Sequence, residues 1–152
     1  MSIQNIMTVC VGNICRSPVA EGLLKQALPQ AKVWSFGLAA VVGSPAEPTA
    51  AALAAEAGVD VSAHRAQQVQ GWMCTQADLI LVMEAAHQRE LAQRFPLARG
   101  KIRLLGEFGS PASPSPYDIA DPYQRPREAF EAAHAAIAQG VQQWVRRIRL
   151  IA

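Results

Sequence analysis

The chain has 152 residues, 51% of them hydrophobic and 17% charged, with a net charge of +2. Such a chain suits one domain burying roughly 70% of its unfolded surface, and its apolar content excludes a disordered polymer. No apolar run reaches the roughly 20 residues of a bilayer span, so membrane insertion is not expected, and the near-neutral balance leaves no nucleic-acid footprint.

At the start, "MSIQNIM" lacks the basic region and cleavage site of a signal peptide. With three cysteines and no export signal, the expected compartment is reducing, hence cytoplasmic. Ile3–Val11 mixes β-branched and apolar residues and stops at Gly12, which predicts a buried strand and a turn. Ser17 and Pro18 read as an N-cap and a first-turn proline, with a helix continuing over Val19–Leu28. "KVWSFG" (32–37) is a short second strand, and alanine-rich Pro48–Ala57 is a helix stopped by Gly58.

"DLILVM" (78–83) is a continuous apolar run of strand length, as expected where both faces of a parallel sheet are covered. A helix over Glu84–Phe95 ends at Pro96, and "KIRLL" (101–105) is a fourth strand. Residues 106–126 hold five prolines and predict irregular chain. Arg127–Arg149 closes as a long helix with Phe130, Ile137, Val141, Trp144 and Ile148 on one stripe. Its basic end, Arg146, Arg147 and Arg149, suits the helix dipole. Strands alternating with helices predict a single α/β domain over 1–152, a doubly wound, four-stranded parallel sheet with helices on both faces. Ligands of such sheets bind at the carboxyl ends of the strands.

Residues 10–17, "CVGNICRS", occupy that position after strand one. Gly12 and Asn13 tolerate left-handed backbone, so the amides of Val11, Gly12, Asn13, Ile14, Cys15, Arg16 and Ser17 can turn inward before a helix N-terminus, which makes an anion site. A thiol on the floor of that nest is stabilised as thiolate by the amides, the dipole, the Arg16 charge and the Ser17 hydroxyl. Arg16 offers a planar fork matched to two phosphoryl oxygens. A thiolate beneath a phosphate cradle predicts covalent phosphoryl transfer from Cys10. The loop has no Gly-Lys-Ser/Thr and no Gly-x-Gly-x-x-Gly, so a small phosphate dianion fits better than a nucleotide.

Expelling an alkoxide or phenoxide calls for a general acid. "YDIADPYQRP" (117–126) supplies Asp121, whose following proline biases it toward an extended shape, and Tyr123, able to stack on a substrate ring. Asp118 is the competing carboxylate, close enough in sequence for mutual repulsion.

Strand–"CVGNICRSP"–helix together with "DPY" before the last helix resembles the low-molecular-weight protein tyrosine phosphatases. "VWSFGLAA" (33–40), "HRAQQ" (64–68), "ADLILVME" (77–84) and "DIADPYQRPREAF" (118–130) extend the likeness along nearly the whole chain. The resemblance implies a cysteinyl-phosphate route without metal or organic cofactor. It makes Cys10 the nucleophile, Arg16 the phosphate clamp and Asp121 the acid that later serves as base. It also makes Asn13 the loop's anchor, held by Ser35 and His64, and Ser17 the hydroxyl that favours the thiolate. Cys15 would be the redox partner that pairs with Cys10 under oxidation. Where the family often writes His-x-Ala-Arg-Gln, Gln67 stands in place of the arginine.

"GLAAVVG" (37–43) and "DPYQRPREAF" look like the bacterial branch paired with tyrosine autokinases of capsule or exopolysaccharide export. There Leu38, Val41 and Val42 would form an aliphatic substrate wall with Tyr123 opposite. The implied partner is a phosphotyrosine protein, and the expected state is a monomer or weak oligomer. The rival reading is an arsenate reductase, which uses a similar loop but relays electrons through two further thiols. Outside the loop this chain has only Cys74, in "GWMCTQADL". The histidines (His64, His87, His134) and cysteines show no metal-ligand spacing, so no metal is expected.

Overall fold

A computed structural model describes residues 2–151. Its elements in chain order are β1 (Asn5–Cys10), α1 (Arg16–Ala27), β2 (Lys32–Gly37), α2 (Pro48–Glu56), α3 (Gly71–Gln76), β3 (Leu79–Val82), α4 (Ala85–Arg94), β4 (Ile102–Leu104) and α5 (Arg127–Leu150). The four strands pair in parallel in the order β2-β1-β3-β4. Each strand runs nearly where the apolar pattern puts it. The six-residue α3 has too few turns to show a periodicity and was legible only as a helical setting for Cys74.

Strand alternation divides the core. Ile6 and Cys10 of β1 and Leu79 and Leu81 of β3 face the layer of α1, α2 and α5, where Val19, Leu24, Leu53, Phe130, Ile137 and Trp144 pack. Met7, Val9, Ile80 and Val82 face the other way, onto Met73, Cys74 and Leu91 of α3 and α4. Both faces being covered is why β3 is apolar at every position, buried throughout. Period two also places Cys10 on the α1 side, at the last residue of its strand.

Chain direction across the sheet reverses at β1, which has β2 on one side and β3 on the other. The carboxyl ends of β1 and β3 therefore flank the switch point, where a crevice opens. Gly37, at the end of β2, touches this edge so closely that a Cβ would lie 2.4 Å from the Val11 carbonyl. Only glycine lets β2 and the loop after β1 meet there.

Candidate active site

The loop after β1 turns directly into α1, with its left-handed residue displaced from the glycine. Gly12 keeps a negative φ, and the left-handed residue is Asn13, at φ 60°. Its own side chain compensates the strain of that conformation. Asn13 Oδ1 accepts from the Gln67 amide at 2.9 Å, so its Nδ2 must be the donor, reaching Ser17 Oγ at 2.8 Å and Ser35 Oγ at 3.0 Å. His64 Nε2 lies 2.6 Å from the Asn13 carbonyl. Ser35 passes its own proton to Glu21 Oε1 at 2.6 Å, which leaves its oxygen free to accept from Asn13.

This ordering decides what faces the sulfur. Ser17 Oγ is 3.0 Å from Cys10 Sγ and accepts from Asn13 Nδ2, so its one hydrogen is available to the sulfur when Cys10 is ionised and can only accept. The helix begins two residues earlier than Ser17-Pro18 suggests: α1 starts at Arg16, Cys15 holds the N-cap position, and no side chain caps it. Ser17 does not cap because its hydroxyl is committed to Cys10. Thr8 Oγ1 donates to the Ser17 carbonyl at 2.8 Å and ties the first turn of α1 back to β1.

Arg16 is the largest fully buried side chain of the fold. An uncompensated guanidinium in such a place costs several kcal/mol. Its Nη1 is held by Glu84 Oε2 at 2.5 Å and the Ile119 carbonyl at 2.7 Å. Its Nη2 is 3.8 Å from Asp121 Oδ2, and its Nε is buried with no partner. Glu84 directly follows the β3 region, so two neighbouring strand ends supply the cation and its anchor. The sequence reading used Glu84 only as a helix start; an acid at the carboxyl end of a central strand was the available signal. His87 Nε2 sits 3.4 Å from the same Glu84 oxygen. Burial, then the Arg16 charge, lowers the His87 pKa against the opposing pull of Glu84, Glu90 and Asp118.

The two acids of the proline-rich loop are separated by what they bind. Asp118 Oδ1 accepts the Ala85 amide at 2.9 Å and so caps α4. Asp121 stands beside Arg16, its Oδ1 accepting from the Tyr123 amide at 3.1 Å and its side chain about half exposed. Cys15 is a protonated thiol, pushed up to about 12 chiefly by burial and then by the charges of Cys10, Asp121 and Glu47, against the Arg16 charge.

The rim corrects one expectation. Leu38 is only 3% exposed and its side chain packs with Met7, Val9 and Phe36 in the core, so it forms no wall. Its amide bonds the Cys10 carbonyl at 3.0 Å and continues the β2 pairing by one residue, which turns the side chain inward. The exposed apolar surface belongs to Val41, Val42, Val11 and Tyr123. Val41 lies over the loop itself, its Cγ2 being 3.6 Å from where a Gly12 Cβ would stand. Cys74 lies far from all this in connectivity. It is on α3 behind the other sheet face, just before Asp78, whose amide joins the amino end of β1 at Asn5. Among the described residues no group of three or more histidine, cysteine or acidic side chains could hold a metal.

A parallel α/β domain with a cysteine closing its first strand and a buried arginine opening the helix that follows is a phosphate-handling architecture of the cysteine type. Residues 5–150 match the model of the low molecular weight phosphotyrosine protein phosphatases. A curated relative, the probable low molecular weight protein-tyrosine-phosphatase EpsP of Ralstonia nicotianae, is 46% identical over 98% of this chain and 99% of its own. The solved Wzb of Vibrio vulnificus in complex with benzylphosphonate has a TM-score of 0.90 at 42% identity, covering 96% of this chain and 99% of that one. The YwlE arginine phosphatase of Geobacillus stearothermophilus has a TM-score of 0.88 at 32% identity, covering 97% and 94%. The chain belongs to the low molecular weight phosphotyrosine protein phosphatase family, and it is a phosphatase enzyme.

Proposed function

We propose that the protein hydrolyses phosphotyrosine on a protein substrate through a phosphocysteine at Cys10. The observation that carries the residue roles is the buried, unpartnered Nε of Arg16. A buried donor without a partner costs about 1–3 kcal/mol, and a phosphoryl oxygen would satisfy it together with the amides of residues 11–17. The Arg16 fork is held from behind by Glu84 and the Ile119 carbonyl, which leaves Nε and Nη2 for the ligand.

The Cys10 thiolate, receiving the Ser17 hydrogen bond, attacks phosphorus. The bond to the tyrosyl oxygen breaks, and Asp121 gives that oxygen its proton. Asp121 then takes a proton from water as water displaces the cysteine and releases phosphate. Asp121 is preferred to Asp118 because it lies beside Arg16 while Asp118 is spent on the α4 amide. The Vibrio vulnificus relative was solved with benzylphosphonate, whose CH2 stands where a phenyl phosphate has its ester oxygen, and this supports an aryl ester as substrate. Val41, Val42, Val11 and Tyr123 are the apolar contacts available to such a ring.

The resemblance to the export-associated bacterial branch implies that the protein, a monomer or weak oligomer in the cytoplasm, acts on a tyrosine autokinase. EpsP, in the relative's name, agrees with that branch. Against arsenate reduction stands Cys74, placed on the far face of the sheet from Cys10. The test is turnover of a phosphotyrosine peptide and of phosphoarginine, with acid-quenched enzyme weighed for one phosphoryl group on Cys10. Tyrosine turnover that Cys10→Ser abolishes, with phosphate binding kept, is the expected result. Faster release from phosphoarginine would overturn the substrate assignment.

A further inference from the structure

The rim segment that carries Val41 is fastened on two sides, and the outer fastening is not part of the phosphate cradle. On the inner side Leu38, Ala39 and Val41 donate their amides to the carbonyls of Cys10, Val11 and Gly12, each at 3.0 Å. On the outer side the Gln68 side chain takes the Ala40 amide at 2.8 Å and gives its Nε2 to the Leu38 carbonyl at 2.8 Å. The same carbonyl accepts a second bond, from Arg94 Nη1 at 2.7 Å. A carbonyl oxygen has two lone pairs, so Leu38 is saturated. Arg94 is the last residue of α4, and its other Nη is paired with Glu90 one turn back, which aims the guanidinium at the rim.

We infer that Arg94, with Gln68, is a positioning residue for the substrate's aromatic group: it fixes the Leu38 peptide and thereby the place of Val41 over the mouth of the loop. The inference rests on the aryl-phosphate reading of the site. Arg94 touches neither the sulfur nor the phosphate-binding amides, so it acts on what is attached to the phosphate and leaves the anion itself alone. A charge-assisted hydrogen bond to a carbonyl is stronger than a neutral one, and only part of its effect reaches a ring one contact away. Releasing it loosens the Leu38 peptide, so Val41, still tied to Gly12 by its amide, presents its side chain to the ring less firmly. The phosphate-facing donors remain in place, because the three amides on the inner side are unaffected.

The experiment is steady-state kinetics on p-nitrophenyl phosphate and a phosphotyrosine peptide, with inorganic phosphate as competitive inhibitor, for Arg94→Met and Arg94→Lys. Arg94→Met keeps the length of the stem and loses the donors. Its KM for both aryl esters should rise by about threefold to tenfold, with kcat within about twofold and the phosphate inhibition constant unchanged. Arg94→Lys, which retains a cationic donor, should fall between Arg94→Met and the parent. Gln68→Met, which removes the other donor from a different segment, should move the same parameter in the same direction. An unchanged KM in Arg94→Met, or a KM and a phosphate constant that rise together, would overturn the inference. A parent enzyme unable to cleave either ester would instead sink the aryl-phosphate reading beneath it.

Discussion

Ser17 Oγ lies 3.0 Å from Cys10 Sγ and accepts from Asn13 Nδ2, which leaves its one hydrogen free to face an ionised sulfur. The Gln67 amide fixes the Asn13 carboxamide, the carboxamide donates to Ser17, and a Cys10 thiolate, which can only accept, takes the Ser17 hydrogen. A hydrogen bond to an ionised sulfur is worth about 1.5–3 kcal/mol. Ser17→Ala should slow iodoacetate labelling of Cys10 at mildly acidic pH by about tenfold or more, and kcat should fall with it. Equal labelling rates for variant and parent would remove Ser17 from the chemistry.

Labelling should also distinguish the three thiols. Burial raises Cys15 to about 12 and raises Cys74 despite the opposing Lys101 charge, so both are neutral thiols at pH 6 to 7. Peptide mapping after brief iodoacetate treatment should find Cys10 alone modified, with inorganic phosphate protecting it.

Asp121→Asn should lower kcat for a poor leaving group by about 10²–10⁴, with a much smaller change in KM. Asp118→Ala should instead leave kcat within a few-fold and lower the melting temperature, because it removes the cap on the Ala85 amide, worth about 1 kcal/mol. The reverse pattern would exchange the two roles.

Glu84 tests how much of the phosphate clamp is prepared before substrate arrives. Glu84→Leu strands a buried guanidinium that keeps only the Ile119 carbonyl on Nη1. The phosphate inhibition constant should rise by at least about tenfold, and kcat/KM should fall by more, as Arg16 loses its aim. Phosphate binding that survives unchanged would show that the loop amides alone set the affinity.

His87 gives a pH dependence whose sign follows from its lowered pKa. Above the ordinary histidine value of about 6.5 both folded and unfolded chains hold it neutral, and it contributes nothing. Below that value the unfolded chain takes up a proton that the folded chain refuses, so stability falls with pH until the lowered folded value is passed. Arg16 opposes the proton, while Glu84, Glu90 and Asp118 favour it. Urea melts between pH 7.5 and 5 should show the parent losing more stability than His87→Gln. A parallel loss in both would assign the acid sensitivity elsewhere.

The chemistry of residues 10–17 and the layer order were written in the sequence, because both depend on neighbours in the chain. A strand end, a turn, a helix start and the apolar runs of β1 and β3 are local patterns, and Cys10 and Arg16 are fixed to one another by a single loop. What surrounds that loop depends on distant segments, and no local pattern reports it. Glu84 reaches Arg16 across 68 positions, and Gln67 reaches Asn13 across 54. The family resemblance makes Leu38 a wall residue, yet one more residue of strand pairing turns it into the core. Asp118 and Asp121 are chemically equal three residues apart, and only the placing of α4 against Arg16 makes one a cap and the other a neighbour of the clamp. The reacting group was a property of the chain, whereas its proton ordering and its rim came from packing, since hydrogen bonds and burial are settled by which segments meet in space.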